Sequence, residues 1–255
     1  MELHSILCYN DYMSDILIAG KEMPDSVELA ESLAKTNRNV MSAAKVDVDF
    51  ANFEIEGIYG STWNRSSAIS ARSFLLNGET KLRELDQYVI LFDSKYYASK
   101  FELDRTENVS SAVDTMIASY QFLINELTLR LDQRKDPVTV MFLEKSYPSR
   151  FELVNSGSRN ANIVATSNIV NCAQAAFEAL AENFATYVNE KAYLSVVLAK
   201  CEHTNDIYDN EAAIGEWIAR TMDSVAASKS KQTLKQACTW QKVGGKVSSG
   251  FSLFK

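Results

Sequence analysis

Few residues in this chain have both the type and the spacing to do chemistry. Tyr96 and Lys100 stand four apart, as do Tyr187 and Lys191. Cys201 and His203 would share one face of a strand with Asp206 nearby, but two such ligands fall short of a zinc site. His4 and His203 are the only histidines. No Gly-x-Ser-x-Gly elbow exists to present a nucleophilic serine, and no phosphate loop of the Gly-x-x-x-x-Gly-Lys type is present. A nucleotide-binding α/β protein uses glycine so that its backbone can approach phosphates. Here there are nine Gly and three Pro among 255 residues, where average usage gives roughly 18 and 13.

The elements that must position these residues alternate along the chain. Asp15 to Gly20 is an apolar run ending in glycine, read as a buried strand. A helix follows, with Pro24 at its first position, Asp25 and Glu28 at its positive end, and Val27, Ala30, Leu33 and Ala34 on one face. Asn37 suits the left-handed residue beyond its end. Strands are expected at Val40–Ala44, near Ile55–Tyr59, at Tyr88–Phe92, at Val138–Leu143 and at Tyr193–Leu198, with a last one within 239–254. Helices are expected over Ser66–Leu82, Val109–Arg134, 167–189 and Glu211–Val225. In the second of these, Val109, Val113, Ile117, Tyr120, Ile124, Leu127 and Leu131 form a stripe, with Asn108 as cap. Gly157 to Asn162 reads as a polar loop. Strand and helix alternate without repeat or linker, which predicts an α/β fold: a single doubly wound parallel sheet flanked by helices on both faces. Residues 1–226 form its domain, and 227–255 a basic segment completing or flanking the sheet.

In order and spacing the chain resembles the short-chain dehydrogenase/reductase family, a Rossmann-like fold. DILIAG followed by VELAESLAKTNRNV is similar to that family's first strand, helix and second strand. LRELDQYVIL resembles its approach to the fourth strand, AQAAFEALAENFA with YLSVVLA its catalytic helix and next strand, and EAAIGEWIARTM the helix before its last strand. The resemblance implies NAD(P) and hydride transfer, with a TGxxxGxG loop for the diphosphate. It also implies a Ser, and a Tyr followed four residues later by a Lys, where the Tyr moves the proton and the Lys lowers its pKa.

This chain departs from that pattern. Of the loop only Gly20 remains, followed by Lys21, Glu22, Met23, Pro24 and Asp25, and two of these carboxylates would repel a diphosphate. Lys21 and Met23 mark the vestigial loop. Lys45 could meet a 2′-phosphate, Asp47 or Asp49 a ribose, and Asp93 lies where the family's NNAG segment would be. Lys21, Lys45, Asp47 and Asp49 also read as ordinary solvated residues. Ser146 falls at the serine position. Val170 and Gln174 occupy the Tyr and Lys positions, and neither transfers protons. Tyr96 and Lys100 have the right letters but follow the fourth strand instead of the fifth, and also read as an exposed loop. Tyr187 and Lys191 fall at the wrong edge of the sheet. The expectation is therefore a protein of this fold without dehydrogenase chemistry and without a bound cofactor. The alternative is an atypical NAD(P)-dependent oxidoreductase working through Tyr96 and Lys100.

Charge bounds the partners. A net charge of −7 and a pI near 5.0 speak against nucleic-acid binding. From Ser224 onward there is no Asp or Glu but six Lys, either a solvated tail or an arm for an acidic protein partner. No apolar run reaches the roughly 18 residues of a membrane span, and the first residues lack the features of a signal peptide. Cys8, Cys172, Cys201 and Cys238 are scattered without a CxxC pair. The chain is expected in the cytoplasm, with its cysteines as small hydrophobes. Small residues on several faces of 167–189, with Met116, Leu123 and Leu127 on 109–134, suit a homodimer or homo-oligomer through these two helices, as in the family resembled.

Overall fold

The structure, a computed structural model, describes residues 14–45, 55–83, 85–101, 105–155, 165–228 and 232–244. Seven strands form one sheet in the order β3-β2-β1-β4-β5-β6-β7, every neighbouring pair parallel. They are β1 (Asp15–Met23), β2 (Val40–Ala44), β3 (Ile58–Thr62), β4 (Leu85–Asp93), β5 (Val138–Ser146), β6 (Leu194–Glu202) and β7 (Trp240–Lys242). The central strands are continuous apolar runs because helices cover both faces. On one side α2 (Ala68–Lys81), α4 (Val109–Val113), α5 (Ser119–Arg134) and α7 (Asn168–Val188) close over Leu17, Tyr88, Phe92, Phe142 and Leu198. On the other, α1 (Val27–Ala34) and α8 (Glu211–Ala226) close over Ile16, Ile18, Val89, Met141 and Val197. The short helices α3 (Ser94–Lys100), α6 (Arg150–Asn155) and α9 (Leu234–Ala237) complete the described residues. The strand order reverses between β1 and β4, which is where ligands bind in open sheets of this kind.

Four local expectations are corrected. First, β1 does not stop at Gly20. It bulges there and rejoins β2, with Met23 opposite Ala44. Pro24 therefore lies in a turn before α1 and is not its first residue. Second, the apolar stripe of the long helix is displaced at its start. A π-helical turn at Asp114–Ala118 joins α4 to α5. The extra residue in that turn rotates everything before it. Ala112 and Met116 face the core, whereas Val109 is 45% exposed. Asn108 makes no side-chain cap. Third, Tyr96 to Lys100 is helical, capped by Asp93 Oδ1 accepting from the Tyr96 amide at 3.1 Å. Fourth, the third strand begins at Ile58, three residues later than Ile55. Asn37 is left-handed, with φ 61°. The loop at Gly157–Asn162 lies outside the described residues, as do Asp47 and Asp49.

The basic segment is partly within the fold. Trp240–Lys242 pairs with Leu198–Lys200 and extends the sheet at its edge. Lys200 stands 4.8 Å from the Trp240 ring centroid. Among the described residues no helix is long and apolar enough to cross a membrane.

Candidate functional site

Everything at the β1/β4 reversal begins with Gly20. Its φ is +138°, and a Cβ built on it would stand 2.0 Å from the Leu91 carbonyl oxygen. This glycine lets two strand backbones approach each other. It makes no room for a phosphate.

Beyond Gly20 the crevice is spanned by charge. Arg65, buried to 8% exposure, donates to the Gly20 carbonyl and to Glu22 Oε1, the latter at 3.1 Å. Its guanidinium lies 3.7 Å from the Trp63 ring centroid. Trp63 in turn stacks on Phe74 at 5.8 Å and meets the edge of Tyr120 at 6.1 Å. The guanidinium stays charged despite its burial, paired with the Glu22 carboxylate. Tyr120 donates to the Leu91 carbonyl at 2.6 Å and shares a hydrogen bond with Tyr97 at 2.8 Å. The position that Gly20 leaves so close to Leu91 is thus braced from behind.

Tyr96 and Lys100 come together on α3, as their spacing allows. Lys100 Nζ donates to the Tyr96 hydroxyl at 2.5 Å, and Tyr96 donates to Glu22 Oε2 at 3.4 Å. Lys100 also lies 3.7 Å from that carboxylate. A Tyr acting as base needs its pKa brought down toward neutrality. Here burial and the Glu22 carboxylate both push Tyr96 far up, while burial lowers Lys100. The pair therefore has the geometry of a proton-transfer dyad and the opposite electrostatics.

A second ion network crosses the same end of the sheet. Lys145 donates to Glu211 at 2.6 Å and lies 3.4 Å from Asp93; Lys21 joins Glu211 at 3.2 Å. Burial lowers Lys145, but Asp93 and Glu211 outweigh it and raise the ammonium above its ordinary range; Lys145 and Lys21 hold Glu211 below its own. Buried ions require such pairing. Lys21 and Asp93, read from sequence as vestigial cofactor positions, are thus engaged in ion pairs, with Glu211 and Lys145 respectively. Lys45 pairs with Asp25 at 2.8 Å, just before α1. Met23 is buried and lines a cavity of about 400 Å³ with Met41, Ile58 and Tyr59.

Past Gly20 the chain places the carboxylates of Glu22 and Asp25, paired with Arg65 and Lys45, with Glu28 in the first turn of α1. The Leu91 carbonyl lies where a side chain on Gly20 would stand.

Ser146 ends β5 and lines a different cleft, of about 790 Å³, between the carboxyl ends of β5 and β6 and helices α6 and α7. Val170 is buried in the core, and Gln174 donates to Glu144 Oε1 at 2.8 Å while accepting from Ser94. Tyr187 and Lys191 meet at the far end of α7, both donating to Asp132. His203 lies 6.2 Å from the Tyr147 ring, and no metal cluster exists among the described residues.

Sequence reasoning missed Arg65, Glu144, Lys145 and Glu211. Two of them had a signal. Glu144-Lys145 are adjacent charges closing an apolar strand, and adjacent strand residues point to opposite faces. Glu144 accordingly meets Lys200 and α7, and Lys145 meets α8. Arg65 lies in a connection with no periodicity to mark it.

No protein-family profile matches the chain, and no curated protein does. Solved structures do. The chain is similar to a short-chain dehydrogenase from Leptospira borgpetersenii serovar Hardjo-bovis with bound NAD+, at 10% identity and TM-score 0.58, over 95% of this chain and 97% of that one. It is also similar to a doubly substituted Serratia marcescens short-chain dehydrogenase/reductase, at 11% identity and TM-score 0.55, over 82% and 89%. With the strand order and the helices on both faces, this likeness identifies the architecture: the chain carries the short-chain dehydrogenase/reductase fold.

Proposed function

We propose that this chain is a binding or scaffolding module built on that oxidoreductase fold, one that neither holds a dinucleotide nor transfers hydride. The observation that carries the reading is the crevice between β1 and β4, filled by Arg65, Glu22, Lys100 and the Lys21–Glu211–Lys145–Asp93 network. Tyr96 supports it from the chemical side, since its surroundings favour the neutral phenol. The second reading, an atypical oxidoreductase, rests on the 2.5 Å contact between Lys100 and Tyr96.

The two are separated by incubating the chain with NADH or NADPH and a panel of aldehydes and ketones. The binding reading expects no cofactor oxidation above the protein-free rate. Turnover that Tyr96→Phe abolishes would transfer the assignment to the oxidoreductase.

The module is a homodimer in this proposal. Met116, Leu123 and Leu127, expected at the interface, lie in the core instead; the outer face of α7 carries exposed Cys172, Ala175 and Ala179, and α5 exposes Leu129 at 59%. Small residues allow two such helices to approach closely, and a twofold pairing of identical surfaces is the commonest assembly. Light scattering should give twice the 28.5 kDa of one chain; a monomeric mass at working concentration contradicts the dimer. An acidic protein is the partner proposed for the Lys-rich end of the chain, and salt-sensitive binding of a polyglutamate peptide, weakened on deleting residues 245–255 with Lys246 and Lys255, would test it.

A further inference from the structure

The cleft at the carboxyl ends of β5 and β6 has its own chemistry. At about 790 Å³ it has the size of a small-molecule site. Among the described residues carboxyls dominate its lining: Glu144, Glu152, Glu178 and Glu202 stand with Lys200 and Arg150, and Glu202 also lies 4.0 Å from Lys242. Glu152 is engaged locally, accepting from the Ser149 amide at 2.7 Å.

Glu144 is the informative member. Its side chain is 1% exposed. One oxygen accepts from Gln174, and the other, Oε2, accepts no hydrogen bond. A buried carboxylate oxygen needs compensating charge, and here that charge is a shared one. Lys200 Nζ lies 3.4 Å from it and 3.0 Å from Glu178, so one ammonium serves two carboxyls. The groups facing Glu144 are Lys200 from β6, and Glu178 and Gln174 from α7. Burial, with Glu178 adding to it against Lys200, pushes Glu144 up to about 8. Burial therefore favours the protonated form of Glu144, and a second cation beside it would favour the carboxylate. Tyr147, Phe151 and His203 provide ring surface around it, suited to a cation with an organic body.

We propose that this cleft binds a small organic ammonium, its charged head received by the Glu144 and Glu178 carboxyls and its body by Tyr147, Phe151 and His203. The inference rests on the binding-module reading and names the ligand class. On binding, Glu144 gives up its proton to solvent and the ammonium takes its place. Affinity therefore rises between about pH 6 and pH 9, through the range in which Glu144 titrates.

The test is amide-resolved NMR on the full chain, titrated with phenethylammonium, with phenylacetate and with phenethyl alcohol as matched probes. The ammonium should produce saturable shifts clustered at Ser146, Tyr147, Lys200 and His203, and the other two probes should not. Glu144→Gln should weaken binding about tenfold and remove its pH dependence, whereas Lys200→Met, which removes the competing ammonium, should strengthen it about tenfold. Equal shifts from the carboxylate or the alcohol, or no change of affinity in either variant, would overturn the proposal. Addition of NADH to the same sample reports separately: shifts confined to Gly20, Glu22 and Asp93 would undo the binding-module reading and leave the ammonium result standing on its own.

Discussion

Arg65→Met is expected to lower the unfolding free energy by about 3–5 kcal/mol, because it removes the buried cation bonded to Glu22 Oε1 and to the Gly20 carbonyl, leaving Glu22 only the Lys100 cation, at 3.7 Å. Arg65 is 8% exposed and bonds both Glu22 and the Gly20 carbonyl. The methionine can replace its stem against Trp63 but neither of its hydrogen bonds. Arg65→Lys should recover only part of the loss, since one ammonium cannot reproduce a planar fork stacked on an indole. Adding Glu22→Gln to Arg65→Met should restore part of the stability, as expected for directly coupled sites. The measurement is a denaturant titration of the four chains. A loss below about 1 kcal/mol for Arg65→Met would mean that the guanidinium is not the plug described here.

Gly20→Ala carries the other large effect. The added methyl would meet the Leu91 carbonyl oxygen at 2.0 Å, with a φ of +138° that side chains rarely adopt. Leu91 cannot retreat, because Tyr120 holds its carbonyl and Tyr97 holds Tyr120. The central β1–β4 pair must separate, at a cost above about 4 kcal/mol. Gly244→Ala is the control. Its φ is +78° and its nearest neighbour, Ile207, stands at 3.6 Å, so only backbone strain of about 1–2 kcal/mol applies. The circular-dichroism melting curves of both variants decide between close approach and mere conformational preference. Equal losses in the two would remove the steric argument.

The fold was legible because strands buried on both faces must be apolar throughout, as in Tyr88–Phe92 and Val138–Leu143. It was also legible because α7 repeats its buried residues with helical period. What escaped were events with no period. A π-helical turn shifts the stripe of the long helix by one residue, and nothing in the letters Asp114–Ala118 announces it. The bulge at Gly20 carries β1 on to Met23, through residues that read as a turn. Of the site, the letters gave only an expectation: the lost glycines, with Val170 and Gln174 at the Tyr and Lys positions, suggested a changed crevice. What fills that crevice was not legible. Arg65 and Glu211 reach it from 45 and 190 residues away, measured from Gly20 and Lys21. Only the folded chain brings them together. The YxxxK letters at Tyr96 show the converse. The spacing does bring Tyr96 and Lys100 into contact, but burial, with Glu22 placed beside them by β1, favours the neutral phenol.

The central claim is that the β1/β4 crevice is closed to a dinucleotide. Isothermal titration calorimetry with NADH and with NADPH, run on the full chain at neutral pH, tests it most directly. The account predicts no saturable heat for either cofactor up to millimolar concentration. Stoichiometric binding with a micromolar Kd would contradict it.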